Sequence, residues 1–190
     1  MAEQGFQNPV HDAQRVFRTL LTALSEPARI LPLEPCCTPP AALDPAAASV
    51  ILALCDGDTP LWLSPRFAGA ADFFRFHTGA PLVGDPGAAL FALADASERP
   101  SLSLLSPGTA DYPDRAATLV LAVDRIEGYR GWRFSGPGIA GRRMMLAGPL
   151  DAAFAEEWRQ NRQRFPLGVD VLFTAGNQVA GLPRGTMMEA

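Results

Sequence analysis

The sequence contains no lysine, and all 16 of its basic residues are arginines. That absence removes two classes of chemistry. An enzyme that forms an imine through a side-chain amine has no amine to use. A phosphate-binding loop of the G-x-x-x-x-G-K-[ST] kind lacks its lysine. Histidine is almost as scarce, since only His11 and His77 occur, more than sixty residues apart. The three cysteines, two of them adjacent (Cys36 and Cys37), offer neither a metal-ligand spacing nor a disulfide framework. No metal is expected, and the odd cysteine count suits a reducing compartment. A G-x-S-x-G nucleophile elbow is also missing. The longest apolar stretch, Ala46 to Cys55, includes Ser49 and is far shorter than the ~20 residues of a membrane helix. The opening Met-Ala-Glu-Gln-Gly-Phe carries no basic region and no apolar run, so it does not read as a secretory signal. A cytoplasmic protein is expected. With a formal charge of −4 and no basic run of five or more, nucleic acid is not the expected partner.

What remains is a chain of 190 residues, 48% apolar, with 17 glycines and 18 prolines. A chain of this length buries about 70% of its unfolded surface. A single domain over residues 1–190, rich in tight turns, is expected. Asn8 caps a first helix, Pro9 occupies its first position, and Val10, Ala13, Phe17, Leu20, Leu21 and Leu24 follow at helical spacing. Ser25-Glu26-Pro27 ends it. A short edge strand over Arg29 to Leu33 follows, then a helix from Pro45 to Cys55 capped by Asp44. Leu61 to Leu63 reads as a strand, and Ser64-Pro65 opens a third helix ending near His77-Thr78-Gly79. Strands are expected at Leu90 to Ala94, at Ala117 to Val123 and at Gly131 to Ser135. The second of these is almost wholly apolar, as suits a strand covered on both faces. Leu150 to Arg164 reads as the last long helix, and Val169 to Thr174 and Gln178 to Leu182 as paired strands. Interspersed helices and strands with a hairpin at the end give a three-layer α/β/α fold with a mixed sheet.

Few residues carry chemistry. Gly136-Pro137-Gly138-Ile139-Ala140-Gly141 matches G-x-G-x-x-G after a strand, but only six residues separate it from Gly148-Pro149, too few for a crossover helix. A structural turn is the plainer reading. Arg142 and Arg143 follow, and two guanidiniums beside a glycine-rich turn could grip an anion. Exposed surface charge is the simpler alternative. His77 lies near a helix end, where it interacts favourably with the helix dipole, and as a general base it would need an orienting carboxylate. Cys36 and Cys37 read as incidental members of a proline-rich loop. Arg159 and Arg162 read as a solvated or subunit-facing surface. No self-sufficient active site is legible from these residues.

Several segments together resemble one family. They are Asn8-Pro9-Val10, Leu24-Ser25-Glu26-Pro27, Asp58-Thr59-Pro60, Arg75-Phe76-His77-Thr78, Gly136-Pro137-Gly138-Ile139, Phe165-Pro166-Leu167-Gly168-Val169-Asp170 and Pro183-Arg184. Across almost its whole length the chain is similar to the PhnH family, a subunit of the bacterial carbon–phosphorus lyase system for phosphonate breakdown. The resemblance implies the fold of the large domain of pyridoxal-phosphate-dependent transferases without the cofactor site, hence no cofactor. It also implies a homodimer that assembles with subunits G, I and J. Together they support formation of ribose 1-phosphonate 5-triphosphate from ATP and a phosphonate. The family has no assigned catalytic residue in this subunit. His77, Thr78, Asp170 and Arg184, which fall in its motifs, are the candidate ligand or interface contacts, with Arg142 and Arg143 as weaker anion-binding candidates. A scaffold role is the leading expectation. The rivals are an autonomous anion- or nucleotide-binding enzyme around His77 and a nucleotide module on Gly136 to Gly141. In two places the chain departs from the family pattern. Ala28 stands where Ser-Glu-Pro is usually followed by glycine, which argues against a left-handed turn there. Gly185 stands for the first threonine of Pro-Arg-Thr-Thr.

Overall fold

In the computed structural model, residues 3–189 are described. Chain order is α1 (Pro9–Ser25), β1 (Leu31–Pro32), α2 (Pro45–Leu54), β2 (Leu61–Leu63), a 3-10 turn (Pro65–Ala70) running into α3 (Ala71–Thr78), and β3 (Phe91–Asp95). Then come β4 (Thr118–Ala122), β5 (Arg125–Ser135), β6 (Arg143–Gly148), α4 (Ala152–Gln163), β7 (Asp170–Ala175), β8 (Gln178–Leu182) and β9 (Met187–Glu189). The helix starts follow from capping. Asn8 Oδ1 accepts the His11 N–H (3.4 Å), Asp44 Oδ1 that of Ala47 (2.6 Å), and Asp151 Oδ1 that of Phe154 (3.1 Å).

A six-stranded sheet in the order β1-β8-β7-β4-β3-β2 forms the centre. Strands β2, β3, β4 and β7 are parallel, β8 runs antiparallel to β7, and β1 pairs antiparallel with β8, so the sheet is mixed as the sequence implied. Alternation along the strands sorts their side chains to two sides. Leu93, Val120, Leu172 and Val179 pack with α1, α2 and α3 on one face. Ala92, Leu119, Leu121, Phe173 and Ala180 pack with Phe154 and Trp158 of α4 on the other.

The second face differs from the expected helical layer. Beside α4 it is covered by a three-stranded antiparallel sheet in the order β6-β5-β9, through Phe134, Met145 and Ala147. Strands β6 and β9 carry no long alternating run of β-branched residues, which is why they escape a reading by pattern. The third expected helix is also divided. Pro65 to Ala70 turn as a 3-10 segment before α3 begins.

Candidate functional site

Four of the segments singled out in the sequence meet in space. They are the end of α1 with Ser25-Glu26-Pro27, the β5–β6 loop with Gly136-Pro137-Gly138, the α4–β7 connection from Phe165, and Pro183-Arg184-Gly185-Thr186 between β8 and β9. The contacts between them are close. A Cβ on Gly138, whose φ is 80°, would lie 2.0 Å from the Ser25 carbonyl oxygen, so only glycine lets the hairpin loop touch the helix end. A cleft of about 200 Å³ lies between these loops, lined by Leu24, Ser25, Pro137, Gly138, Pro183 and Thr186.

Charged side chains surround the cleft, and each is engaged within the protein. Arg184 forms a two-pronged pair with Asp170. Its Nε donates to Oδ1 (3.0 Å), its Nη2 to Oδ2, and its backbone N–H to Oδ1 (2.7 Å). The remaining Nη1 donates to the Pro113 carbonyl (2.6 Å). Arg143 reaches from β6 to the end of α1, where Nη1 donates to the carbonyls of Glu26 (3.0 Å) and Pro27 (2.7 Å). Arg162 donates from Nε to the Gly185 carbonyl (3.1 Å) while its guanidinium covers the Phe165 ring at 5.2 Å. Asn161, almost fully buried, clasps Val169 in both directions, Nδ2 to the carbonyl (2.9 Å) and Oδ1 from the N–H (2.8 Å). Trp158 Nε1 donates to the Thr186 carbonyl (3.0 Å). These bonds hold loops in place, and the cleft lining itself contains no ionisable group.

The sequence candidates are therefore distributed as follows. Asp170 and Arg184 come together. Thr78 closes α3, donating to the Phe74 carbonyl (2.7 Å) and accepting the Ala80 N–H (3.1 Å). His77 is exposed on the same turn, and its ring lies against Phe73 and Phe76 at centroid distances of 4.7 and 4.9 Å. Gly5 packs under that ring, close enough that a Cβ there would lie 2.6 Å from Nδ1. The strand before α3 and the strand opened by Asp170 are three spacings apart in the sheet, about 14 Å. Arg142 pairs at 3.6 Å with Glu189 on the surface. Arg162, expected on a solvated or subunit-facing surface, ties α4 to Gly185. Sequence reasoning missed Trp158 and Asn161; their only signal is helical spacing from the buried Phe154. Ala28 reverses another expectation. It takes φ 58° despite its side chain, and its N–H donates to the Gly181 carbonyl (2.9 Å).

Other chemistries find little support in the geometry. Gly136 to Gly141 turn between two antiparallel strands, where a dinucleotide motif needs a helix start. Burial pushes the thiols of Cys36 and Cys37 up, against the opposing effect of Ser49 Oγ at 3.6 and 3.5 Å. Burial raises Cys55 to about 12. Such thiols stay protonated and are poor nucleophiles at neutral pH. Among the described residues no group of three or more His, Cys, Asp or Glu is placed to hold a metal ion, and no helix is long and apolar enough to cross a membrane.

Comparison with known proteins identifies the family. The family model described as bacterial phosphonate metabolism protein (PhnH) matches residues 4–189. The chain is 38% identical over 187 residues to the alpha-D-ribose 1-methylphosphonate 5-triphosphate synthase subunit PhnH of Rhizobium meliloti (strain 1021), covering 97% of this chain and 94% of that protein. It is 30% identical over 175 residues to HtxG of Stutzerimonas stutzeri, named as a candidate C–P lyase subunit, covering 91% and 84%. The residues matched by the family model span all four segments of the loop cluster, and the chain belongs to the PhnH family of bacterial phosphonate metabolism proteins.

Proposed function

We propose that this chain acts as a non-catalytic docking subunit of a carbon–phosphorus lyase assembly, supporting synthesis of a ribose 1-phosphonate 5-triphosphate from ATP and a phosphonate. One observation carries the reading. Where the family segments converge, Arg143, Arg162, Asp170 and Arg184 are committed to internal hydrogen bonds, and the described residues that line the cleft carry no ionisable side chain. Catalysis by acid–base or covalent steps needs such a group in reach of substrate. Docking needs a fixed framework, and the hydrogen bonds of the loop cluster brace one.

In this reading residues 1–190 form one domain, with the fold of the large domain of pyridoxal-phosphate-dependent transferases put to a cofactor-free use. The lysine-free composition agrees with that. The chain pairs as a homodimer in the cytoplasm and joins subunits G, I and J. Native mass spectrometry tests this directly, on the chain alone and after co-expression with those subunits. A dimer that enters a larger stable assembly is the expected result. A purified chain that converts ATP and methylphosphonate unaided would overturn it.

A further inference from the structure

The outer face of the small sheet carries more arginines than carboxylates. Phe134, Met145, Ala147 and Ile126 point inward and are buried, so alternation turns Arg125, Glu127, Arg133 and Met144 outward. Arg133 lies directly between Met144 on β6 and Glu189 on β9. Arg142, in the turn at one end, and Arg130 complete the set. Four arginines against two glutamates leave an excess of two positive charges there, on a chain whose formal charge is −4. The side chains of Arg125, Arg130 and Arg142 are each more than half exposed.

This face also carries a built projection. Glu127 pairs with Leu146 and Trp132 with the adjacent Met145, so Gly128-Tyr129-Arg130-Gly131 bulges from β5. Gly131 makes that possible. At φ 99° a Cβ would lie 2.5 Å from the Met145 carbonyl oxygen, which excludes every other residue without a backbone shift. The bulge presents Tyr129, 74% exposed, with the Arg130 guanidinium 5.8 Å from its ring centre. Glu127 holds Arg130 through both Nε and Nη2. Side-chain freedom is thereby reduced before any partner arrives, which lowers the entropy cost of binding. Tyrosine and arginine are the residue types that most often dominate interface energies.

We infer that this face docks an acidic surface of a protein partner, whose carboxylates meet Arg130 and Arg133 and whose apolar side chains cover Tyr129 and Met144. The inference rests on the docking function proposed above and assigns it a surface distinct from the loop cluster. Charge complementarity selects the partner. Glu127 and Glu189 interleave with the arginines, an arrangement that repels a continuous phosphate backbone but accommodates a protein surface of mixed sign.

The test uses the full chain co-expressed with its partner subunits, measuring assembly affinity between 0.05 and 0.5 M salt for the parent and three variants. For the double variant Arg130→Glu with Arg133→Glu we expect at least a tenfold loss of affinity, for Tyr129→Ala a smaller loss, and for the parent a progressive weakening with salt. If the charge reversal misfolds by circular dichroism, Arg133→Gln and the salt series on the parent give the same readout. Assembly with unchanged affinity in the variants and no salt dependence would overturn this face while leaving the docking function intact. Failure of the parent to assemble would overturn both. Loss of the chain's own dimer in the charge-reversed variant would assign the face to a second copy and overturn a separate partner. Binding of a 20-nucleotide RNA that the reversal abolishes, with subunit assembly unaffected, would also overturn it.

Discussion

Arg133 and Arg143 lie ten residues apart on neighbouring strands of the same small sheet, and their guanidiniums serve opposite ends. Arg143 reaches across to the carbonyls of Glu26 and Pro27 and fastens the end of α1. Arg133 faces outward on a surface with surplus positive charge. The same contrast runs through two regions of the fold. In the loop cluster arginine and glycine hold one loop on another, through Arg162 on Gly185, Arg184 on Asp170, and Gly138 against Ser25. On the outer face the same residue types project from the protein, through Arg130 and the Gly131 bulge. Inward arginines bond one loop of the fold to another, whereas the outward Arg125, Arg130 and Arg142 pair with Glu127 and Glu189 at the surface and keep more than half of each side chain exposed. Substitutions should therefore separate the regions, with loop-cluster changes felt in melting temperature and outer-face changes felt in assembly.

The largest expected effect is at Gly138. Alanine there would meet the Ser25 carbonyl at 2.0 Å and the Pro27 Cδ at 2.8 Å, with φ at 80°. Left-handed strain and overpacking together give a destabilisation of about 3 kcal/mol or more. Thermal unfolding of Gly138→Ala should show a melting temperature lower by roughly 6–12 °C. A change of only a degree or two would mean that the hairpin loop moves away from α1 freely and that the cluster is not rigid.

A second inward group gives the comparison a pH axis. Burial would raise the Glu157 carboxyl, but Arg99 and the Leu102 N–H outweigh it and hold the group below the usual carboxylate range. Arg99 donates from both terminal nitrogens, at 3.0 and 3.1 Å, and the Leu102 N–H donates at 2.9 Å. A carboxylate lowered in the folded state stabilises above its unfolded value of about 4.3 and loses that contribution as pH falls through the folded value. Glu157→Gln should cost about 2 kcal/mol at pH 7. The gap between parent and variant in denaturant titrations should close in acid. A gap that persists at the lowest accessible pH would assign the effect to packing instead of charge.

How much of this was legible in the sequence depends on the range of the forces involved. Capping and helical spacing act within a few residues, and Asn8 and Asp44 cap where their residue types imply, while α4 begins only after its cap Asp151 and not at Leu150. The apolar run through Leu119 and Leu121 belongs to a strand covered on both faces, as it reads. The small sheet did not show itself, because β9 is three residues long and owes its place to pairing with Arg133 to Ser135, far away in the chain. The loop cluster was visible only as separate motifs. Nothing local to Arg162 tells that the Gly185 carbonyl will sit above it, or that Asn161 is buried to clasp Val169. His77 and Asp170 shared a motif list without sharing a site, since motif membership carries no distance.

The smallest expected effect tests a position adjoining Gly138. Ala28 holds φ 58° in the turn that Arg143 fastens, and its methyl group is buried. Replacing it with glycine relieves about 1–2 kcal/mol of left-handed strain. Against that, the unfolded chain gains freedom worth about 0.4–1 kcal/mol, and a buried methyl worth about 0.8 kcal/mol is lost. These contributions nearly cancel. Ala28→Gly should melt within about 3 °C of the parent, whereas Gly138→Ala, across the same contact, should fall well below it. The asymmetry follows from where each Cβ points. At Ala28 it enters the apolar cluster with Leu119 and Phe173, and at Gly138 it would enter the Ser25 carbonyl. If Ala28→Gly instead stabilised the fold by as much as Gly138→Ala weakens it, backbone conformation alone would set both positions, and the close approach at Ser25 would have no separate part in holding the cluster.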